Sequence, residues 1–152
     1  LRLRALADAP DAFWAILDDD ERKPDEAWQA DLEAEDQVTL LGVLDDVDAG
    51  LVFGARHHER VEEAGLYGMW VAPEARGTGL ADALVHGIID WARVSGRQYL
   101  RLDVNDTNIA AQRLYARCGA EPSGRRDTFP PPRDHITEHE LVIRLTDETT
   151  AE

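Results

Sequence analysis

The stretch Met69-Trp70-Val71-Ala72-Pro73-Glu74-Ala75-Arg76-Gly77-Thr78-Gly79-Leu80-Ala81 constrains this chain more than any other. A strand-like run, Ala64 to Val71, is stopped by Pro73, because the residue before a proline is pushed out of the helical region. A glycine-bearing loop follows, and Leu80 to Ser95 then reads as an amphipathic helix. Leu80, Leu84, Ile88 and Trp91 share one stripe, with Ala83, Gly87 and Val94 beside it; Asp82, His86, Asp90 and Arg93 take the other faces. Gly96 suits the position just past the helix end. The first N–H groups of a helix have no intrahelical partner, and the dipole there is positive. Gly77 and Gly79 let the backbone wrap closely around a ligand. The loop is therefore suited to phosphate, and Arg76 adds a positive charge.

The other elements build around this unit. Residues 1–22 are expected to be mainly helical: Leu3, Leu6 and Ala7 share one face, Phe13, Ile16 and Leu17 another, and Pro10 breaks the two. Pro24-Asp25-Glu26 suits a helix start, running on through Trp28 and Leu32. Val38–Leu44 and Leu51–Ala55 read as a hairpin whose turn-rich connection is Asp45–Gly50. Tyr99–Val104 alternates, with Leu100, Leu102 and Val104 on one side and Tyr99, Arg101 and Asp103 on the other. A helix from about Asn108 to Arg117 ends at Cys118-Gly119. Strand-like runs at Ser123–Phe129 and Glu138–Leu145 flank Pro130-Pro131-Pro132. Thr146–Glu152 is expected to be a frayed acidic tail. With 152 residues, against about 150 per domain, the chain is expected to be one mixed α/β layered domain.

Composition removes several classes. The 16 Lys and Arg against 31 Asp and Glu give a net charge of −15, which argues against a nucleic-acid backbone or an anionic membrane surface as partner. It permits a cationic acceptor. One cysteine, Cys118, excludes an internal disulfide and cysteine-pair zinc sites, and a reducing cytoplasm fits. No apolar run approaches the roughly 18 residues needed to cross a membrane. The start, Leu1-Arg2-Leu3-Arg4, runs into Asp8 and Asp11 and does not read as a signal peptide.

Other phosphate loops fit poorly. A P-loop needs Lys and then Ser or Thr after its last glycine, where this chain has Leu80 and Ala81; a dinucleotide fingerprint needs glycine at position 82, which is Asp82. Arg76-x-x-Gly79-x-Ala81 does match the pattern Gln/Arg-x-x-Gly-x-Gly/Ala, and so resembles the acetyl-CoA pyrophosphate loop of the GNAT superfamily of N-acetyltransferases. Asn108-x-x-Ala111-x-x-Leu114-Tyr115-x-x-x-Gly119-Ala120 resembles the second signature of that family. The resemblance covers Leu66 to about Ala120. It implies a mixed, mostly antiparallel sheet flanked by helices, with the fourth and fifth strands, here Ala64–Val71 and Tyr99–Val104, splayed to admit the cofactor. The family's first strand precedes its first helix; Leu1 starts inside that helix, so this strand is expected to be absent from this sequence. The resemblance further implies acetyl-CoA as co-substrate with no metal, direct transfer to a primary amine of a small molecule or protein, and a homodimer. The backbone of Trp70 and Val71 would meet the pantetheine arm, with a Val71 N–H on the acetyl carbonyl. Arg76, Gly77, Thr78, Gly79, Leu80 and Ala81 would hold the pyrophosphate. Asn108 would bind the cofactor, and Tyr115 would stand near the sulfur as general acid.

The general base is open. Many family members carry a Glu on the fourth strand, but Gly65-Leu66-Tyr67-Gly68-Met69 has no acid and no His. Candidates are Glu62, Glu63, Asp103, His57, His58 or a water chain. Each has a plainer reading: Asp103 as a salt-bridge partner of Arg101 or a neighbour, His57 and His58 as solvent-facing residues at a strand end, Tyr115 as core, Asn108 as a helix cap. Trp14 and Trp28 are expected in the core. His135 and His139 have a helical metal spacing, but the flanking sequence is β-like. Cys118 reads as a small packed residue. Two further classes stay open: a non-catalytic acyl-CoA-binding sensor, and an interaction domain whose loop is coincidental.

Overall fold

A computed structural model describes residues 1–145; the expected tail at 146–152 lies outside the described residues. The helices are α1 (Arg2–Asp8), α2 (Leu17–Glu21), α3 (Asp25–Glu33), α4 (Leu80–Val94) and α5 (Ile109–Arg117). The strands are β1 (Gln37–Leu44), β2 (Val47–Arg56), β3 (Glu63–Val71), β4 (Tyr99–Asn105), β5 (Glu121–Thr128) and β6 (Thr137–Arg144). They form one sheet in the order β1-β2-β3-β4-β6-β5. Every neighbouring pair is antiparallel except β3 and β4, which the crossover through α4 makes parallel.

The α4 stripe packs as its periodicity requires. Leu84, Ile88 and Ala92 are buried, and small residues in β1 and β2 let the helix approach the sheet. A Cβ added to Gly50 would stand 2.9 Å from Leu84 Cδ1, and one added to Gly54 would stand 2.8 Å from Trp91 Cζ3. Val94 departs from expectation: it is 90% exposed, beyond the edge of the packed stripe. On the opposite face of β2, Phe53 meets Arg2 of α1, whose guanidinium lies 5.5 Å from the ring centroid. Leu6 of α1 is fully buried there. The sheet is thus covered on both sides.

Two sequence expectations fail locally. The turn between β1 and β2 is only Asp45-Asp46, both at positive φ (50° and 64°), so Val47 to Gly50 belong to β2. Asp and Asn tolerate that conformation, which suits a tight hairpin. The segment Phe13–Ile16 is not helical: Phe13 and Ile16 are extended, and Pro10 opens a short 3₁₀ turn, Pro10–Ala12. The cause lies far along the chain. Arg133 donates to three carbonyls of this strap, those of Pro10, Phe13 and Trp14. Hydrogen bonds from a guanidinium outweigh a weak local helix preference.

Candidate active site

The parallel pairing of β3 with β4 lasts three positions, Glu63↔Tyr99, Ala64↔Leu100 and Gly65↔Arg101. Beyond them the strands part. β4 stays in register with β6 as far as Asn105↔Glu138. β3 instead shifts register against β2 between Leu51 and Phe53, where Gly68 has φ 61°, and such a bulge re-aims a strand. A cleft of about 1120 Å³ opens between the two strands. It exceeds the roughly 300–1,000 Å³ of ordinary small-molecule pockets and suits an extended ligand together with a second substrate.

At one end of the cleft lies the glycine loop. Gly77 and Gly79 have φ of 77° and 88°, and a Cβ at either would meet nothing within 4 Å. The loop therefore presents open backbone. The first bond of α4 runs from the Ala83 N–H to the Gly79 carbonyl, which leaves the N–H groups of Leu80, Ala81 and Asp82 without intrahelical acceptors. Thr78 Oγ1 donates to the Ala75 carbonyl at 2.5 Å and braces the turn. The Leu80 side chain packs over Gly42 of β1 and takes no part in lining the cleft. Asn108 caps α5, its Oδ1 accepting from the Ala111 N–H at 3.1 Å, and also lines the cleft.

Arg76 is not the free cation that the sequence suggests. Its Nη2 pairs with Asp8 at 2.8 Å, and its Nε donates to the Val71 carbonyl at 3.1 Å. Asp8 also accepts from Trp70 Nε1 at 2.9 Å. This last hydrogen bond, and then Arg76, hold the Asp8 carboxyl below the usual carboxylate range. Asp8 thus ties α1, β3 and the loop together, a role with no local sequence signal.

The β3 backbone places Trp70 and Val71 differently. Ala72 N–H donates to the Ala49 carbonyl at 2.7 Å. Alternation along the strand turns the Trp70 groups the same way, toward β2, and the Val71 N–H the other way, into the gap left by β4. Of the two residues, Val71 is the one whose N–H can meet an acyl oxygen in the cleft.

Tyr115 is buried on α5 and lines the cleft. Burial first, and Cys118 second, push its hydroxyl well above the ordinary tyrosine value, so it keeps its proton throughout the neutral range. Cys118 itself is pushed up by burial, which disfavours a thiolate.

The opposite end of the cleft contains the proton-accepting candidates. Asp103 lines it, and its carboxyl makes no ion pair or hydrogen bond among the described residues. Asp103 is exposed; partial desolvation at the cleft wall and then the Glu140 charge raise its pKa, and Arg125 opposes them. The plainer reading of Asp103 as partner to Arg101 is replaced: Arg101 bonds Glu63 at 2.9 Å and Glu140 at 2.7 Å. Glu63 therefore sits where β3 and β4 are still paired, held by Arg101 and Arg60, and does not line the cleft. Nor do Glu62, His57 or His58: His57 Nδ1 accepts from the Arg60 N–H, and His58 pairs with Asp36. His139 lies on β6 with Nδ1 2.7 Å from Asp106. Among the described residues no cluster of three metal-ligating side chains forms.

Trp14 is not core. It is 50% exposed, lines the cleft, and donates from Nε1 to Glu138 Oε1 at 3.0 Å. Trp28 is half-buried under Lys23, 4.1 Å from the ring centroid. Glu138, absent from the sequence candidates, is 4% exposed and lines the cleft. Burial, and next the Asp103 charge, raise its pKa.

Comparison with known proteins decides the family. A sequence profile of the Acetyltransferase (GNAT) family matches residues 3–120. The chain belongs to the GNAT family. An uncharacterized N-acetyltransferase from the hisH-hisA intergenic region of Azospirillum brasilense is 38% identical over 103 residues, covering 65% of this chain and 61% of that protein. The chain thus matches about three fifths of the length of that relative. The nourseothricin acetyltransferase crystal structure is 27% identical, covers 74% of this chain and 67% of its own, and superposes with a TM-score of 0.67. The yncA protein of Salmonella typhimurium, solved with its cofactor acetyl-CoA, shares the fold with a TM-score of 0.74 and 16% identity, over 99% of this chain and 88% of that one. In GNAT terms the splayed fourth and fifth strands are β3 and β4 of this sheet. Among the described residues no helix is long and apolar enough to cross a membrane.

Proposed function

We propose that this GNAT protein transfers acetyl from acetyl-CoA directly to a primary amine. The observation that carries the reading is the parted β3 and β4 beside a loop whose two glycines face open space. The loop and the start of α4 would hold the pyrophosphate through backbone N–H groups, and Asn108 would add a polar contact. The cofactor supplies an activated acyl thioester: its carbonyl carbon gains the amine nitrogen and loses the sulfur. The Val71 N–H would hold the carbonyl oxygen as negative charge develops there, an interaction often worth about 3–4 kcal/mol when lost. The Tyr115 O–H would donate a hydrogen bond to the departing sulfur. Its raised pKa favours hydrogen-bond donation over full proton transfer to a thiolate of pKa about 8.5. The chain's net charge of −15 supports a cationic acceptor.

Thermal unfolding with and without acetyl-CoA tests the cofactor half. A ligand at about 100 times its Kd adds roughly 2.7 kcal/mol of stability. An amine panel with a free-thiol readout tests transfer. Stabilisation without turnover of any amine would leave a non-catalytic acyl-CoA-binding module. No stabilisation at millimolar acetyl-CoA would overturn the reading.

A further inference from the structure

Acetyl transfer to an alkyl amine has a requirement that β3 does not meet. Such an amine is protonated at neutral pH, and its nitrogen cannot attack until a proton leaves. Glu63 is held by Arg101 and Arg60 away from the cleft. The charges that line the cleft can be paired off. Arg2 bonds Asp20 at 3.2 Å, Arg76 bonds Asp8 at 2.8 Å, and Arg117 bonds Asp82 at 3.2 Å. Two lining carboxyls, Asp103 and Glu138, have no cation within 4 Å among the described residues. Glu140, two residues from Glu138 on the same face of β6, shows the contrast. It too is buried, but Arg101 and the Ser123 hydroxyl bond it at 2.7 and 2.8 Å.

A carboxylate with 4% exposure and no cation is unfavourable in a fold and is relieved by taking up a proton or by meeting an external cation. The surroundings of Glu138 fit an ammonium. Trp14 Nε1 holds Oε1 at 3.0 Å, which fixes the carboxyl and leaves Oε2 for a second partner. Trp14 is carried on the strap that Arg133 clamps through its three carbonyl bonds. Trp14 and Tyr67 line the cleft and offer faces to a cation, whereas the rings of Phe13 and Phe53 are taken by the Arg2 guanidinium, 5.0 and 5.5 Å from their centroids.

Resting on the acetyl-transfer reading, we infer that Glu138 is the general base, and that Glu138 with Asp103 selects a small alkyl amine carrying a second cationic group. In the step, one N–H bond of the ammonium breaks and an O–H bond forms at Glu138 Oε2. The nitrogen keeps the electron pair with which it attacks the acetyl carbon. Asp103 holds the second cation. The groups facing Glu138 are Asp103 on β4, Asp106 beyond the end of β4, and Asp127 opposite it on β5. Asp106 is itself bonded by Arg126, His139 and Thr137. Burial and all three carboxyls raise the proton affinity of Glu138, and the Trp14 N–H opposes them.

The test compares wild type with Glu138→Gln, Trp14→Phe and Asp103→Asn, using acetyl-CoA with 1,4-diaminobutane or n-butylamine. Glu138→Gln is expected to keep the acetyl-CoA-induced rise in Tm. Its kcat/KM for the diamine at pH 7 should fall roughly 10²–10⁴-fold, and its rate should then climb about tenfold per pH unit toward the amine pKa as free amine replaces the missing base. Trp14→Phe keeps the carboxyl but frees it, so a smaller fall with the base limb displaced is expected. Asp103→Asn should erase most of a preference for diamine over monoamine and move the base limb to lower pH, because the Asp103 charge no longer raises the Glu138 carboxyl. A Glu138→Gln rate within threefold of wild type, or an unchanged pH profile, would overturn the base. Equal use of both amines by wild type, or turnover of neither by a protein that acetyl-CoA does stabilise, would overturn the acceptor class. A wild type that acetyl-CoA does not stabilise would instead sink the acetyl-transfer reading beneath it.

Discussion

Gly79→Ala separates backbone strain from ligand binding at the mouth of the cleft. Gly79 has φ 88° and a ψ of −1°, a left-handed conformation that an L side chain rarely adopts. The added Cβ would meet no atom within 4 Å, so the destabilisation must come from the backbone and not from a clash. That strain is about 1–2 kcal/mol per residue. For a domain of this size each kcal/mol moves Tm by roughly 2–4 °C, so a fall of about 2–8 °C is expected. Gly96, just past the other end of α4, is the control: φ is 75° and a Cβ there also meets nothing. Gly96→Ala should lower Tm similarly. The two variants part when acetyl-CoA is added. At about 100 times its Kd the ligand should stabilise wild type and Gly96→Ala by roughly 2.7 kcal/mol each. A Cβ at Gly79 blocks close backbone approach, and losing one hydrogen bond to a charged acceptor is worth about 1.5–3 kcal/mol, or roughly tenfold or more in Kd. The same ligand concentration would then stabilise Gly79→Ala by only about 1.4 kcal/mol or less. Differential scanning fluorimetry across an acetyl-CoA titration reads both effects. If Gly79→Ala melts lower yet keeps the full ligand-induced shift, the loop is a structural turn and its open face is not the phosphate site.

Tyr115→Phe should lower kcat more than it weakens acetyl-CoA binding, and equal rates would remove the hydroxyl from the reaction. Asp8→Asn should lower Tm at pH 7, because Trp70 and Arg76 hold the Asp8 carboxyl below its ordinary pKa. A depressed carboxyl stabilises the fold fully above about pH 4 and ceases to do so as pH falls through the lower folded value, so wild type and variant should converge under acid conditions. For Glu138 the sign reverses. Its folded pKa is raised, so the native state binds more protons than the unfolded chain, and wild-type stability falls as pH rises from the ordinary carboxylate value through the raised one. Glu138→Gln escapes that loss, and its Tm relative to wild type should rise as pH increases above about 4; a flat difference would show that the carboxyl is not strained by burial.

The fold was legible wherever local periodicity and burial coincide. The strand ending at Pro73, the α4 stripe and the alternation of Leu100, Leu102 and Val104 all reappear, because each is set by one face packing on one layer. Local composition misled where it competed with a specific geometry. Asp45 to Gly50 is rich in acids and reads as loop, yet two residues with positive φ complete the turn and Asp48 lies exposed on the strand. Phe13, Ile16 and Leu17 have a helical spacing, but Arg133, 120 residues from Phe13, takes the Phe13 and Trp14 carbonyls, and the chain is not helical until Leu17.

The two ends of the cleft differed in the same way. The glycine loop and the Asn108 cap are short-range devices, so spacing alone was enough to find them. The acceptor end is built from contacts between distant segments: Trp14 reaches Glu138 across 124 residues, and Trp70 reaches Asp8 across 62. Strand alternation does place Arg101 and Asp103 on one face of β4, with Glu138 and Glu140 opposite Asn105 and Asp103 on β6. What it cannot show is which carboxyls the arginines of this face take, since Arg60 joins Arg101 on Glu63 and Arg125 joins it on Glu140. Arg101 reaches Glu63 and Glu140 and stops there, which makes those two structural. Among the described residues, Asp103 and Glu138 line the cleft with no cation within 4 Å. Under the acetyl-transfer reading, the acids that the fold neutralises hold it together, and Asp103 and Glu138, without a cation among the described residues, are the ones offered to an ammonium.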